Sequence, residues 1–313
     1  MANTRPFRFG MAASSASTRE AWAALARRAE ELGYATFLLA DHFVNEFPPI
    51  AALMAAADAT NKIRIGSFVF DNDFRHPALL AKEAATLDLL SGGRFELGIG
   101  AGWHQPEYEQ VGLPFEPAGV RIARLTEALS IIKQFFTRES VTFAGAHYRV
   151  TELQAFPKLA QRPHPPLYIG GGGKKVLTLA GQEADIVGLH LKVNADVTVD
   201  LSERTEAGLA QKVAWVRQAA GERFDSIELS LLLGGVIITA DRQQAAEQRA
   251  RERNLPGVTA EYLLANPYLL IGTVDQIVEQ VQQRRERYGI SYLVVVEEDM
   301  EAMAPVVACL AGQ

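Results

Sequence analysis

The stretch HPALLAKEAATLDLLSGGRFELGIGAGW, residues 76–103, contains one complete unit of a repeating architecture. Pro77 stands where a helix tolerates proline, at its first position, and Gly92-Gly93 stands where helices stop, so the residues between them read as a helix. Phe95 to Gly100 then reads as a short apolar strand that runs out into a glycine-rich turn at Gly100, Ala101 and Gly102. A helix feeding a strand in this way is the crossover that parallel strands require.

The same alternation extends in both directions. Strand-like runs fall at Phe7 to Met11, Ala35 to Ala40, Ile63 to Phe70, Phe95 to Gly100, Leu167 to Gly170, Asp185 to Leu189, Ile227 to Ile238 and Tyr292 to Val296. Helical patterns lie between them: one from Ser17 or Thr18 to Gly33, one in RIARLTEALSIIKQFF and one after Thr273. Eight strands with helices between them and no Pro/Gly/Ser-rich linker predict a single (β/α)₈ TIM barrel domain over residues 1–313. Residues 138–166 and 190–204 exceed a simple connection and read as loop or hairpin insertions that cover a site at the C-terminal face.

Composition narrows the function. A chain of 313 residues with 48% hydrophobic and 22% charged residues has ample material for a core. Its net charge of -6 gives no basic footprint for nucleic acid or an anionic membrane, which favours a small-molecule substrate. The one cysteine, Cys309, can form no internal disulfide, which fits a reducing, cytoplasmic setting. The N-terminus lacks a signal-peptide core, and no window approaches the roughly 18 apolar residues of a spanning helix.

In a parallel barrel the strand ends carry the chemistry. Strand two breaks from LLA into Asp41-His42-Phe43, strand four ends at Gly102-Trp103, strand five enters Gly170 to Gly173 and Lys174, strand six ends at His190, and strand eight ends at Glu297-Glu298. His42 suits general acid–base work because imidazole titrates near neutral pH; Asp41 could orient it or meet a cofactor, although a histidine at a strand end is as often a hydrogen-bonded structural group. The glycine run followed by a helix has the ingredients of a phosphate cradle, yet it matches neither a Walker A loop nor a GxGxxG fingerprint. The histidine spacings match no metal motif, so no metal is expected, although His42, His190 and Glu297 could meet in space. No GxSxG elbow is present.

RRAEELGYATFLLADHF, IRIGSFVFDNDFRHPALLAKEAATLDLLSGGRFELGIGAGW, RIARLTEALSIIKQFF and PPLYIGGGGKKVLTLAG together resemble the luciferase-like monooxygenase superfamily, in its F420-dependent oxidoreductase branch. The resemblance implies a homodimeric barrel enzyme that exchanges a hydride between coenzyme F420 and a small organic substrate. Alternatives are an FMNH₂-dependent monooxygenase and a protein that binds flavin or deazaflavin without turnover. It implies that Asp41 and His42 lie beside the cofactor ring, that a non-prolyl cis peptide at Phe68-Val69 backs the ring, and that Gly100, Ala101 and Gly102 form the strand-four turn. Gly171, Gly172, Gly173 and Lys174 would take the cofactor phosphate. Phe43, Trp103, Glu107 and His190 are the candidate substrate-pocket residues, with Glu107 more readily read as a solvated loop residue. Trp103 stands where a sugar-phosphate dehydrogenase of this superfamily carries a catalytic glutamate, which puts that activity in doubt.

Overall fold

Eight parallel strands close on themselves in the structure, a computed structural model that describes residues 5–194 and 198–313. The strands are β1 (Arg8–Ala13), β2 (Thr36–Leu39), β3 (Arg64–Ser67), β4 (Phe95–Gly100), β5 (Leu167–Gly171), β6 (Ile186–Leu189), β7 (Glu228–Leu232) and β8 (Ile290–Val296). Each pairs with its neighbours in chain order, and β8 returns to β1 through the register Arg8 with Tyr292 to Ala12 with Val296. Closure leaves the barrel without an open edge, and the helices then cover its outer face. The fold is the (β/α)₈ TIM barrel.

Helix Pro77–Leu90 begins at Pro77, with the His76 ring accepting the Ala78 N–H, and ends against Ser91. Helix Val274–Tyr288 starts in a Thr273/Gln276 capping box and stops at left-handed Gly289. Between the sheet and the helices lies the main core, which includes Phe37, Leu53, Phe70, Leu80, Phe95, Ile99 and Leu129. Inside the barrel a second cluster of Leu38, Phe68, Tyr168, Ile186, Tyr292 and Val294 fills the lumen. The alternation along β2 explains the split, with Phe37 and Leu39 facing the helices and Leu38 facing the lumen.

Two strand expectations need correction. Ile227 to Ile238 is not one strand: β7 ends at Leu232, the chain turns at Gly234-Gly235, and Val236–Ile238 leaves the barrel to pair with Leu270–Gly272, a strand the sequence pattern hid. Ile63 to Phe70 is interrupted by a cis peptide at Phe68-Val69, after which Phe70–Asp71 resumes pairing with Ile99 and Gly100. The 138–166 insertion contains the hairpin read as one of its two forms, an antiparallel pair of Ser140–Ala144 with Arg149–Gln154. It leaves from the end of helix Ala118–Thr137 rather than from a strand's C-terminal end, yet its turn comes back to place Tyr148 on Asn72 and His76. Of the polar loop expected over 190–204, residues 195–197 lie outside the described residues, and Leu201–Arg204 forms a short 3-10 turn. Among the described residues no helix is long and apolar enough to cross a membrane.

Candidate active site

His42 follows β2 as the chain leaves the barrel, and its Nδ1 lies 2.9 and 3.1 Å from the two carboxylate oxygens of Glu107. An ionised carboxylate can only accept, so the hydrogen sits on Nδ1 and Nε2 is left for another partner. Glu107 is not a solvated loop residue. It occupies the first turn of the short helix Gln105–Gln110 and is only 2% exposed, because that turn folds inward and buries Tyr108 beside it. His104, the residue before this helix, places its Nδ1 3.0 Å from the same carboxylate, and its ring stands 6.1 Å from that of His42. The sequence carried a signal for this arrangement in the i,i+3 spacing of His104 and Glu107, which puts both on one side of a turn. The histidine cluster differs from the one the spacing left open: His42, His104 and Glu107 have ligand atoms within 4.8 Å of one another, whereas His190 and Glu297 are not part of the group.

Asp41 does not orient His42. Its carboxylate is taken by Arg75, through an ion pair and a second bond of 3.0 Å, and by the backbone N–H of Asp71 at 3.1 Å. Asp41 therefore ties the end of β2 to the segment after β3. Asp71 forms the next link, accepting from the Tyr108 hydroxyl at 2.8 and 2.9 Å and from the Asp73 N–H at 2.9 Å. Asp73 in turn pairs with Arg124 at 2.9 Å. Gly102, at φ +73, closes the strand-four turn over this network; a side chain there would start 1.9 Å from the Tyr108 hydroxyl and 2.5 Å from Asp71. The buried guanidinium of Arg121 fastens the same turn by donating to the carbonyls of Ala101 and Gly102.

Burial pushes the Asp71 carboxyl up to about 7, with the Asp73 and Asp41 carboxylates adding to it against the two donated hydrogen bonds. A folded value above the ordinary 3.8 means that the folded state binds the proton more tightly, so stability falls as pH rises from 3.8 towards 7. Asp71→Asn, which keeps an acceptor for Tyr108, should therefore stabilise the protein at pH values above that range by on the order of 2 kcal/mol and have little effect near pH 4. Urea midpoints measured at both pH values test this, and an equal change at both would contradict it.

β5 delivers the glycine run to the start of helix Lys174–Glu183, whose cap residue Gly173 provides no side chain for the first amides. The three glycines differ. A side chain at Gly171 would meet Val176, and one at Gly172 would start 2.3 Å from the backbone N of Lys192, whereas Gly173 has nothing within 4 Å. Gly172 is thus needed for packing against the loop after β6, and the open approach to the helix amides lies at Gly173. Lys174 and Lys175 are exposed there, and the lysine ion pairs among the described residues belong to Lys133, Lys158 and Lys212 instead. Uncapped amides, open space and free ammonium groups fit the anionic tail of a phosphorylated cofactor.

His190 follows β6 and is only partly exposed. Its Nε2 lies 3.0 Å from the Tyr168 hydroxyl and its ring 5.2 Å from Phe68, and burial pushes its imidazole down to about 4. It is therefore neutral at physiological pH and offers hydrogen bonding rather than charge. Gly100 packs its backbone against Val69, so the strand-four turn and the cis segment are adjacent. On the outer side, Trp103 stands edge-to-face with His42 at 5.6 Å and Phe43 packs on Phe74 at 4.9 Å. Trp103 is 47% exposed and Phe43 55% exposed, so core packing does not account for either ring. Glu46, Phe74, Arg75 and His104 also belong to this constellation; their side chains were not singled out from the sequence because only the folded loops bring them to His42.

The chain is similar to several known proteins. An F420-dependent glucose-6-phosphate dehydrogenase from Intrasporangium calvum is 25% identical over 289 residues, covering 86% of this chain and 86% of that protein. An FMNH(2)-dependent dimethylsulfone monooxygenase from Pseudomonas putida is 28% identical over 187 residues, 56% of this chain and 51% of that protein. The chain spans about half the length of several other curated relatives that it matches. In structure, the coenzyme F420 dependent tetrahydromethanopterin reductase of Methanopyrus kandleri superposes with a TM-score of 0.77 over 97% of this chain and 99% of that one, at 20% identity, a likeness of fold. Residues 4–292 match the luciferase-like monooxygenase family, and by that match the chain belongs to it.

Proposed function

We propose that this protein is an F420-dependent oxidoreductase that exchanges a hydride between the deazaflavin and a small, uncharged organic substrate at the barrel mouth. The observation that carries the reading is the His42–Glu107 pair, an imidazole held through Nδ1 by a buried carboxylate and packed against Trp103 at the end of the strand-four turn. Gly173 and Lys174 would take the cofactor's phosphate, and Phe68-Val69 with the Gly100–Ala101–Gly102 turn would lie behind its ring. When bound, the reduced cofactor supplies a hydride. His42 moves the accompanying proton at Nε2, and Glu107 stabilises the imidazolium that exists before that proton leaves. Trp103, Phe43 and Phe74 exclude water and present apolar faces, which suits an uncharged substrate better than a sugar phosphate. The same reading includes a cytoplasmic homodimer; helix Pro77–Leu90 leaves Leu79, Leu89 and Leu90 exposed, an apolar edge that a second copy would cover.

Titration of the purified protein with F420 and with FMN tests the cofactor, and oxidation of F420H₂ by a panel of carbonyls, enones and nitro compounds tests turnover. Micromolar F420 binding with turnover of at least one class is the expected result. FMN binding without F420 binding would replace this reading with an FMNH₂-dependent monooxygenase, as the similarity to the dimethylsulfone enzyme allows. F420 binding with no oxidation by any compound would leave a binding protein without turnover.

A further inference from the structure

We propose that His42, His104 and Glu107 form a binding site for one divalent transition-metal ion of the zinc class, and that its occupancy blocks proton transfer at His42. All three ligand atoms lie within 4.8 Å of one another, and each Nδ1 stands 2.9 to 3.0 Å from a Glu107 oxygen. Zinc binds imidazole nitrogen and carboxylate oxygen at about 2.0–2.2 Å, which places tetrahedral ligand atoms roughly 3.3–3.5 Å apart. Opening each imidazole–carboxylate contact by a few tenths of an ångström, with the two imidazole ligand atoms no more than 4.8 Å apart, therefore admits the ion. The scaffold already aims the three groups at one another: His104 precedes the short helix that carries Glu107 in its first turn, and His42 is fixed by the end of β2.

The charge balance at this position favours a cation. Glu107 is buried, and among the described residues the only hydrogen-bond or ion-pair partners of its carboxylate are the two imidazoles. The Nδ1 of His104 is buried without an aligned hydrogen bond, so ligation there gives up none. Glu46, close enough for its charge to act on His42 and Glu107, has a buried Oε2 with no hydrogen-bond partner. Arg75, the nearby guanidinium, is already held by Asp41. Two imidazoles with one carboxylate select zinc, cobalt or nickel over magnesium or calcium, which prefer all-oxygen shells. Binding would displace the hydrogen from Nδ1 of His42 to solvent and replace it with the metal. The loss of turnover that follows rests on the proposed function of His42, but the site itself does not.

The test uses the full-length protein after chelator treatment, titrated calorimetrically with Zn²⁺ and Mg²⁺ and by visible absorption with Co²⁺. The expected result is one Zn²⁺ per chain, a Co²⁺ spectrum with imidazole ligation that Zn²⁺ displaces, and no Mg²⁺ binding. His104→Ala and Glu107→Gln should each weaken Zn²⁺ by more than about tenfold. Absence of Zn²⁺ binding, or binding unchanged in His104→Ala, overturns the site. His104 makes no side-chain cap hydrogen bond to the helix it precedes, so that variant decides the matter even if Glu107→Gln fails to fold. Binding without inhibition of F420H₂ oxidation would reject the blocking role alone, and binding to a protein with no F420 activity would confine the failure to the proposed function.

Discussion

His42→Ala is expected to lower F420H₂-dependent turnover by about 10²–10⁴-fold, the range typical of removing a positioned acid–base group, while F420 affinity changes far less. The argument rests on what surrounds the ring. Glu107 fixes the tautomer, and with Nδ1–H committed to a carboxylate, Nε2 is the one nitrogen free to handle a proton. Trp103 packs edge-to-face against the imidazole and limits its rotation. Deleting the ring removes the proton-transfer group but touches neither the glycine turn after β5 nor the cis segment after β3, so the cofactor contacts assigned there persist. The check is kcat from stopped-flow oxidation of F420H₂, with Kd from fluorescence titration of the same variant. Full turnover in His42→Ala would remove the proton-transfer role and leave His42 as a ring support. A matching loss of F420 affinity would show that His42 binds the cofactor rather than serving the chemistry.

The parts of the molecule that were legible in the sequence share a physical cause. The helix and strand within residues 76–103 could be read because Pro77, Gly92 and Gly93 act through local backbone geometry, which needs no partner. The polar break at Asp41-His42 could be read as a strand's emergence because the apolar run of β2 gives way there to polar side chains. The use of those two residues could not. Asp41 turned out to hold Arg75, thirty-four positions away, and the carboxylate on His42 came from Glu107, sixty-five positions away. Long-range ion pairs leave no local pattern. The splitting of Ile227 to Ile238 has a related origin: Val236–Ile238 is as apolar as β7, and it is the turn at Gly234-Gly235 and the pairing with Leu270–Gly272 that carry it away. The sequence did mark Phe68-Val69 through the resemblance, and the cis peptide is present there.

Glu96→Gln should cost about 3–5 kcal/mol of stability, the range for breaking a buried ion pair from one side. Glu96 lies on β4 with its carboxylate inside the barrel, bonded at 2.7 Å to both Arg8 of β1 and Arg64 of β3 through the same oxygen. Arg8 also reaches Glu228 of β7 at 2.7 Å and stacks over the Tyr292 ring at 4.2 Å, so one charge cluster links β1, β3, β4, β7 and β8 across the lumen. Taking away the Glu96 charge leaves two guanidinium groups facing each other around a neutral amide, with only Glu228 to compensate. Burial alone would raise the Glu96 pKa, but Arg8 and Arg64 overcome it and hold the group below its ordinary value. A depressed folded value gives a stabilisation that is present above the unfolded value of 4.5 and is lost as pH falls through the folded value. The parent should therefore lose stability on acidification below about pH 4.5 more steeply than Glu96→Gln, whose deficit should shrink as the parent's carboxylate is protonated. Urea midpoints at neutral pH and in that acid range measure both effects. If the two proteins differ by the same amount throughout, the cluster contributes packing and hydrogen bonds rather than charge. If Glu96→Gln matches the parent at neutral pH, the two arginines have found other partners, and closure of the barrel does not depend on this carboxylate.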